Sequence, residues 1–174
     1  MTYGYAGKIL RVDLNSGKTT EVPTCDYTDR FLGGRGVAAK VCWDEVPPEV
    51  RALDAENRVI FATGPIGGVP PFSGSRWTAC GKIPSLERFS YGNLGGRWGA
   101  ELKFAGYDAI VVQGKSEKPV YLFLHDGLAE LKDASALWGR GSIETREMLK
   151  GELGSFVRVV AIGAGGENMA VMAN

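Results

Sequence analysis

Glycine placement is the feature that most limits how this chain can fold. The sequence has 25 glycines among 174 residues, about twice the usual share. They gather in four clusters, at 33–36, 64–74, 92–99 and 163–166. Apolar runs separate the clusters, so the glycines do not form a low-complexity linker. Because glycine lacks a Cβ atom, each cluster predicts a tight turn or a close approach of the backbone to another group.

The cluster at 92–99 has the strongest pattern of a binding site. Four of these eight residues are glycines, which leaves one surface without side chains, and a helix-like segment follows at Ala100. Bare backbone N–H groups beside a helix N-terminus suit an anionic ligand such as a flat, phosphorylated cofactor. A turn that merely lets two strands cross explains the segment equally well.

Composition indicates one folded domain and excludes two classes of partner. Hydrophobic residues make up 44% of the chain, enough for a core at this length. Twenty Lys and Arg are balanced by twenty Asp and Glu, so a nucleic-acid partner is not expected. No apolar run approaches the roughly 20 residues that cross a bilayer, so a membrane partner is not expected either.

The cysteine pattern bears on metal sites and on location. Cys25, Cys42 and Cys80 are far apart, and no C-x-x-C spacing occurs. Neither a zinc site nor an iron–sulfur cluster can therefore be assembled from this chain alone. Unpaired thiols without a signal-peptide pattern predict a cytoplasmic protein.

Hydrophobic periodicity predicts an α+β domain, because strands and helices do not alternate regularly. Strands are predicted at 8–14, 19–22, 58–63, 75–82, 109–112, 120–124, 128–131 and 157–162, with another beginning at 169–172. Helices are predicted at 26–32 and 37–46, and from an N-cap at Ser142 to Leu153, with Gly154 just past the end.

Six separated motifs recur in the order found in one known family. They are YAGKILRVDL (5–14), GGRG (33–36), NRVIFATGP (57–65), GNLGGRWGAELKFAGYDA (92–109), KSEKPVY (115–121) and GAGGEN (163–168). Together they resemble the N-terminal domain of the tungsten-containing aldehyde:ferredoxin oxidoreductases over nearly the whole chain. Six motifs in register are far more specific than any one of them.

The resemblance implies a fold and a role. The fold is two mostly antiparallel β-sheets with a few short helices, forming the base of a pterin-cofactor site. Residues 1–174 correspond to a single cofactor-base domain that ends before the family's second pterin loop and its helical iron–sulfur domains. The complete enzyme would oxidise an aldehyde and water to a carboxylic acid. Two electrons would then pass through a [4Fe–4S] cluster to ferredoxin.

The resemblance also implies the cofactor and its ligands. The cofactor is a tungsten (or molybdenum) bis-pterin, contacted by Arg76 and lined by Asn93 and Gly95. The backbone carbonyl of Asn93 would help to bind a magnesium ion that bridges the two pterin phosphates, and magnesium prefers such oxygen ligands. A planar guanidinium at Arg76 suits bidentate binding of a phosphate or of a pterin edge.

Several positions keep more than one interpretation. Arg97 and Trp98 replace the family's common tyrosine–phenylalanine pair, so Arg97 adds a phosphate contact, excludes a hydrophobic substrate or faces solvent. The motif at 33–36 is either an anion nest carrying Arg35 or, slightly favoured, a break between two helices. The GAGGEN motif is not a dinucleotide fingerprint, because a strand instead of a helix is predicted to follow it.

Catalytic side chains are not expected in this chain. His125, the only histidine, is interpreted as a turn residue beside Asp126 and Gly127. No Ser-His-Asp or paired-carboxylate arrangement is visible. Alone, the chain should therefore not turn over, and its partners would be the remaining domains or a separately encoded large subunit. The alternative is a non-catalytic pterin-binding subunit, a scaffold or an inactive fragment whose exposed apolar surface favours homo-oligomers.

Overall fold

The computed structural model describes residues 4–71 and 74–172. The strands are β1 (Lys8–Asp13), β2 (Lys18–Pro23), β3 (Arg58–Thr63), β4 (Trp77–Ile83), β5 (Arg88–Leu94), β6 (Ala109–Gln113), β7 (Val120–His125) and β8 (Leu128–Asp133). The helices are α1 (Cys25–Thr28), α2 (Arg35–Glu45), α3 (Trp98–Phe104), α4 (Ser142–Leu153) and α5 (Gly163–Glu167).

Two β-sheets organise the described residues, as the α+β prediction requires. The large sheet has the strand order β2-β1-β6-β3-β4-β5, and the hairpin sheet consists of β7 and β8. Within the large sheet only β1 and β6 run parallel, and the other neighbouring strands are antiparallel. The predicted combination of two mostly antiparallel sheets and a few short helices is confirmed.

The two faces of the large sheet are covered by different elements. Helix α2 covers one face, because its apolar side chains recur at helical spacing and pack against buried residues of the strands. This core comprises Ile9, Val37, Ala38, Val41, Cys42, Ile60, Ala62, Cys80, Ala109 and Val111. On the other face α3 and the hairpin sheet pack around Leu10, Val12, Leu102, Tyr107 and Ile110.

Tyr107 connects the large sheet to the hairpin sheet. Its side chain is 1% exposed, and its hydroxyl lies 3.0 Å from Glu21 Oε1 and 2.9 Å from the carbonyl oxygen of Gly127. Burial and the hydrogen bond to Glu21 raise the pKa of Tyr107 to about 12. The hydroxyl therefore stays protonated and available as a donor.

The C-terminal predictions were wrong. Residues 157–162 form no strand, 163–167 form α5, and 169–172 form turns instead of the start of a strand. A strand requires a neighbour for its backbone hydrogen bonds, and 157–162 has none in the part of the chain that the structure describes. The GAGGEN motif is thus helical itself, but no strand precedes it, so the dinucleotide interpretation stays rejected.

Two helix boundaries also differ from prediction. Helix α1 ends at Thr28, short of the predicted Leu32, because the following residues leave the helix to reach the end of β3. Ser142 is the first helical residue of α4, and Gly141 occupies the cap position without a side-chain cap. Packing of the buried Thr145 and Leu149 holds this helix, so a capping hydroxyl is not needed.

A buried carboxylate at Asp108 holds the N-terminal segment against the large sheet. Its oxygens accept hydrogen bonds from the backbone N–H groups of Ala6, at 2.9 Å, and Gly7, at 2.8 Å. The hydroxyl of Thr24 donates to it at 2.7 Å, and Lys103 Nζ lies 3.0 Å away. The Lys103 and Asp108 side chains are only 7% and 6% exposed, so their charges depend on each other.

Lys103 extends this network to a second distant segment. Besides Asp108, its ammonium donates to the carbonyl oxygens of Gly4 and, at 3.3 Å, Gly64. Gly64 opens the proline- and glycine-rich loop that leads to Arg76. The ion pair therefore joins α3, the N-terminal segment and this loop.

Removing the carboxylate should test the network. We expect Asp108→Ala to lower the free energy of unfolding by about 3–5 kcal/mol, because it leaves Lys103 charged and buried without a carboxylate to balance its charge. Urea unfolding followed by circular dichroism measures the change. Asp29→Ala is the control, since Asp29 is exposed and its removal should change stability by less than about 0.5 kcal/mol. Equal effects of the two substitutions would contradict the interpretation.

A second ion-pair cluster should give the protein a defined acid sensitivity. Glu45 accepts hydrogen bonds from Arg11, at 2.8 and 2.5 Å, and from Arg58, at 3.1 Å. Burial opposes ionisation of Glu45, but the hydrogen bonds and charges of both arginines outweigh burial and lower its pKa below the ordinary 4.5. The stabilisation is therefore complete above pH 4.5 and is lost as the pH falls through the folded-state pKa.

Comparing the wild type with Glu45→Gln checks this sign. The wild type should be the more stable protein at pH 7, and the difference should shrink progressively below pH 4.5. Thermal unfolding midpoints across this range measure it. A difference that is constant with pH would contradict the assignment.

Candidate cofactor-binding site

The structure places the three predicted cofactor residues at one end of the large sheet. β4 and β5 are antiparallel, and Trp77 pairs with Leu94 at this end of their ladder. Arg76 precedes Trp77 and Gly95 follows Leu94, so the two positions face each other across the strand ends. Asn93 lies one residue earlier on β5. The pairing of β4 with β5 thus brings Arg76 close to Asn93, although the two are 17 positions apart in sequence.

β5, the strand that carries Asn93, is exposed to solvent along most of its length. Within the described residues β5 is an edge strand of the large sheet, and every residue from 91 to 97 is exposed. Edge strands offer backbone N–H and C=O groups that proteins normally cover or protect. An edge strand exposed on both faces therefore presents backbone to a ligand or to another part of a larger protein.

Two glycines of the 92–99 cluster are needed by the fold itself. Gly96 has φ +76°, a conformation that favours glycine, and it makes the turn into α3. A Cβ atom at Gly99 would lie 3.0 Å from both the carbonyl oxygen of Ser75 and Cβ of Trp77. Gly99 therefore lets α3 pack closely against the start of β4.

The other two glycines of the cluster are not explained by packing. A Cβ atom at Gly95 would meet nothing within 4 Å, and one at Gly92 would meet only Leu94 Cδ1 at 3.9 Å. Neither residue has a positive φ. Their missing side chains leave a strip of bare backbone at residues 92–95, in which Gly92 lies on the face opposite that of Asn93. The turn interpretation thus accounts for Gly96 and Gly99, and ligand binding stays a prediction for Gly92 and Gly95.

Arg76 and Arg97 are the cations beside this strip. Arg76 is exposed, and among residues 4–71 and 74–172 its side chain makes no ion pair or hydrogen bond. Arg97 is 69% exposed, and its Nη2 lies 3.6 Å from Glu101 Oε1. Arg97 therefore faces solvent with a partial partner, whereas the guanidinium of Arg76 is available to a ligand.

Trp98, the other departure from the family pattern, is partly buried and packs against the core. Its ring lies 4.3 Å from the ring of Trp77 and 5.9 Å from that of Phe61, centroid to centroid. Aromatic pairs at these distances stabilise packing between elements. Trp98 thus fixes α3 on the sheet and does not line the strip of bare backbone.

The motif at 33–36 is a helix break that approaches the same end of the sheet. The N–H of Gly34 donates to the carbonyl oxygen of Thr63 at 2.8 Å, and Gly34 has φ +50°. Arg35 then begins α2, with its Cζ 4.2 Å from the centroid of the Tyr91 ring. The sequence singled out Arg35 but gave no sign of Tyr91, because the contact joins residues 56 positions apart.

The remaining candidates lie elsewhere. His125 ends β7, stacked on Phe123 at 4.6 Å, next to the predicted turn at Asp126. Cys42 on α2 and Cys80 on β4 are buried between that helix and the large sheet, where burial raises both thiol pKa values, that of Cys42 to about 11. In the described ranges no three His, Cys, Asp or Glu side chains gather into a metal site. No helix there is long and apolar enough to span a membrane.

A cavity of about 610 Å³ lies away from the three site residues. It is enclosed by β7, α3, α4 and residues 156–163, and apolar side chains dominate its lining. The segment predicted as a strand at 157–162 therefore lines this cavity instead of joining a sheet. Its apolar lining holds few groups that could bind a phosphate.

Comparison with known proteins identifies the family to which this chain belongs. The family model described as "Aldehyde ferredoxin oxidoreductase, N-terminal domain" matches residues 9–174. The chain belongs to the aldehyde ferredoxin oxidoreductase family and corresponds to its N-terminal domain.

Individual relatives agree with this assignment. The tungsten-containing aldehyde ferredoxin oxidoreductase of Pyrococcus abyssi is 42% identical over 95% of this chain and 28% of its own length. The corresponding protein of Pyrococcus furiosus is 40% identical over 98% of this chain and 29% of its own length. The chain thus spans less than a third of these relatives.

A solved structure supports the fold. The active site complex BamBC of benzoyl coenzyme A reductase, in complex with 1,5-dienoyl-CoA, superimposes with a TM-score of 0.91 at 43% identity. The match covers 95% of this chain and 26% of that one.

The two kinds of glycine can be separated by mutation. We expect Gly99→Val to lower the free energy of unfolding by about 1–3 kcal/mol, because its side chain would overlap the carbonyl oxygen of Ser75 and the side chain of Trp77. Gly95→Ala should change it by less than about 0.5 kcal/mol, because its methyl group enters open space. Thermal or urea unfolding of both variants measures this. A destabilised Gly95→Ala protein would show that the strip is structural.

Proposed function

We propose that this chain forms the base of a tungsten–pterin site in an oxidoreductase that converts aldehydes to carboxylic acids with ferredoxin as electron acceptor. Arg76, Asn93 and Gly95 are the proposed cofactor-binding residues. One observation carries the proposal: Arg76, exposed and without an ion pair or hydrogen bond among the described residues, lies across the strand ends from bare backbone that neither packing nor backbone conformation explains.

The residues present fit a flat, phosphorylated cofactor. The guanidinium of Arg76 can donate two parallel hydrogen bonds to a phosphate or to the polar edge of a pterin. The missing side chain at Gly95, which lies across the strand ends from Arg76, lets a planar group approach closely. The backbone carbonyl oxygen of Asn93 is the type of ligand that magnesium accepts beside phosphates, so we propose that it binds a magnesium ion there.

The chain's own residues bind and orient the cofactor. When bound, the metal–pterin group supplies the redox chemistry. The names of the relatives support tungsten as the metal, and molybdenum is the alternative. In this proposal Arg76 anchors the negative charge, Asn93 and Gly95 set the height of the cofactor above the strand end, and Trp98 keeps α3 in place beneath it.

Turnover would require more protein than this chain. Because the chain spans about 28% of its relatives, we propose that the remaining domains, or a separately encoded large subunit, supply the [4Fe–4S] cluster and the contact with ferredoxin. We propose a cytoplasmic location for the assembled enzyme. The open edge of β5 is where such additional protein could close over the cofactor.

Cofactor content tests the proposal directly. The complete protein purified anaerobically from its native host should contain pterin and tungsten, and Arg76→Ala should lower both by about tenfold or more through loss of a charged hydrogen bond. Arg88→Ala is the matched control, since Arg88 is also exposed on β5 but lies five residues, roughly 17 Å, from Asn93. Elemental analysis and pterin fluorescence measure the contents.

The outcomes separate the alternatives. Unchanged pterin in a folded Arg76→Ala protein would remove Arg76 from the site. Pterin and metal in a complex heavier than this chain would support the oxidoreductase, and the accompanying polypeptide would be its large subunit. Pterin without turnover in any complex would support the non-catalytic subunit or scaffold. A chain that self-associates and holds neither would support an inactive fragment.

A further inference from the structure

We infer that Arg35 is a second phosphate-binding arginine of this site and that Tyr91 positions it. The inference rests on the proposed function, because it assumes that the end of β4 and β5 holds a phosphorylated cofactor. It adds a residue from a different element, α2, to the three at the ends of β4 and β5. It also assigns a role to the GGRG motif beyond that of a helix break.

The start of α2 is attached to the end of the large sheet that carries the proposed site. The hydrogen bond from Gly34 N–H to the carbonyl oxygen of Thr63 attaches the start of α2 to the last residue of β3. Thr63 pairs with Trp77 on β4, and Trp77 pairs with Leu94 on β5. One terminus of each of β3, β4 and β5 therefore lies where α2 begins. The same end of the sheet carries the proposed site.

Strand register places Tyr91 on the same face as the site residues. Tyr91 lies opposite Cys80, and Asn93 lies opposite Thr78. Side chains two residues apart on a strand share a face, so Tyr91 and Asn93 lie on one face, and Arg76 continues the row that contains Thr78 and Cys80. Cys80 belongs to the core under α2, which identifies this face as the one that α2 covers.

The contact between Arg35 and Tyr91 holds the guanidinium while leaving its donors available. With Cζ 4.2 Å from the ring centroid, Arg35 lies over the face of an aromatic ring that is itself 46% exposed. Such stacking uses the flat face of the guanidinium, and its N–H groups project from the edge. Restricting a long side chain in advance lowers the entropy lost when it binds a ligand.

The charges at this end of the sheet favour a ligand with more than one negative charge. The chain has no net charge, yet Arg35 and Arg76 both lie here, and neither forms an ion pair in the described portion of the chain. The nearby carboxylate of Glu101 lies next to Arg97 instead. Two uncompensated arginines from different elements suit two phosphate groups, one bound by each.

The test measures how firmly the complete, anaerobically purified protein retains its pterin during gel filtration at increasing potassium chloride concentrations. We expect Arg35→Ala to lower the retained pterin about tenfold or more, with an unchanged thermal unfolding midpoint because Arg35 is exposed. Arg35→Lys should retain an intermediate amount, since it keeps the charge but loses the planar donors. Arg88→Ala should behave as the wild type.

A double-mutant cycle separates binding from a purely structural contact. Tyr91→Leu should lower retention less than Arg35→Ala, and the double variant should equal Arg35→Ala, because Tyr91 acts only through Arg35. Additive losses, or a lowered unfolding midpoint with normal retention, would overturn the inference. Loss of pterin from Arg76→Ala but not from Arg35→Ala would overturn this inference alone. Retention by both variants would overturn the proposed site as well.

Discussion

The buried pair of Lys103 and Asp108 is the interaction on which the arrangement of the domain depends. Asp108 binds two backbone N–H groups of the N-terminal segment, and Lys103 binds carbonyl oxygens of that segment and of Gly64. These segments are up to 102 residues apart in sequence. Neither charge could remain buried without the other, so every group bound by the pair is held in one arrangement.

The same pair also holds the elements that support the proposed site. Lys103 lies on α3, which follows the glycine cluster directly, and Gly64 begins the loop that leads to Arg76. The aromatic contact between Trp98 and Trp77 joins the same two elements nearer the surface. Both strand ends that carry the site are therefore fixed to one rigid body, although the site residues themselves are exposed. Preorganisation of this kind lets exposed side chains bind with little reorganisation.

The sequence was sufficient where local pattern decides structure. Alternation predicted β1, the apolar run predicted β3 as a central strand, and a turn signal predicted the hairpin of β7 and β8. The pattern failed at 157–162, where apolar residues resemble a strand but find no neighbour to pair with. It also predicted no strand at β5, whose glycines and polar residues hide the alternation, and it could not reveal that Arg35 meets Tyr91, because long-range contacts are tertiary properties.

The exposed edge of β5 has a consequence for how this protein matures. Its strand carries Phe89 and Tyr91, which are 40% and 46% exposed, beside backbone groups that can pair with a strand of another molecule. In our proposal the cofactor and the remaining protein cover that edge. Before they do so, the β5 edges of two chains can pair with each other, so loss of the cofactor would favour aggregation as well as loss of function.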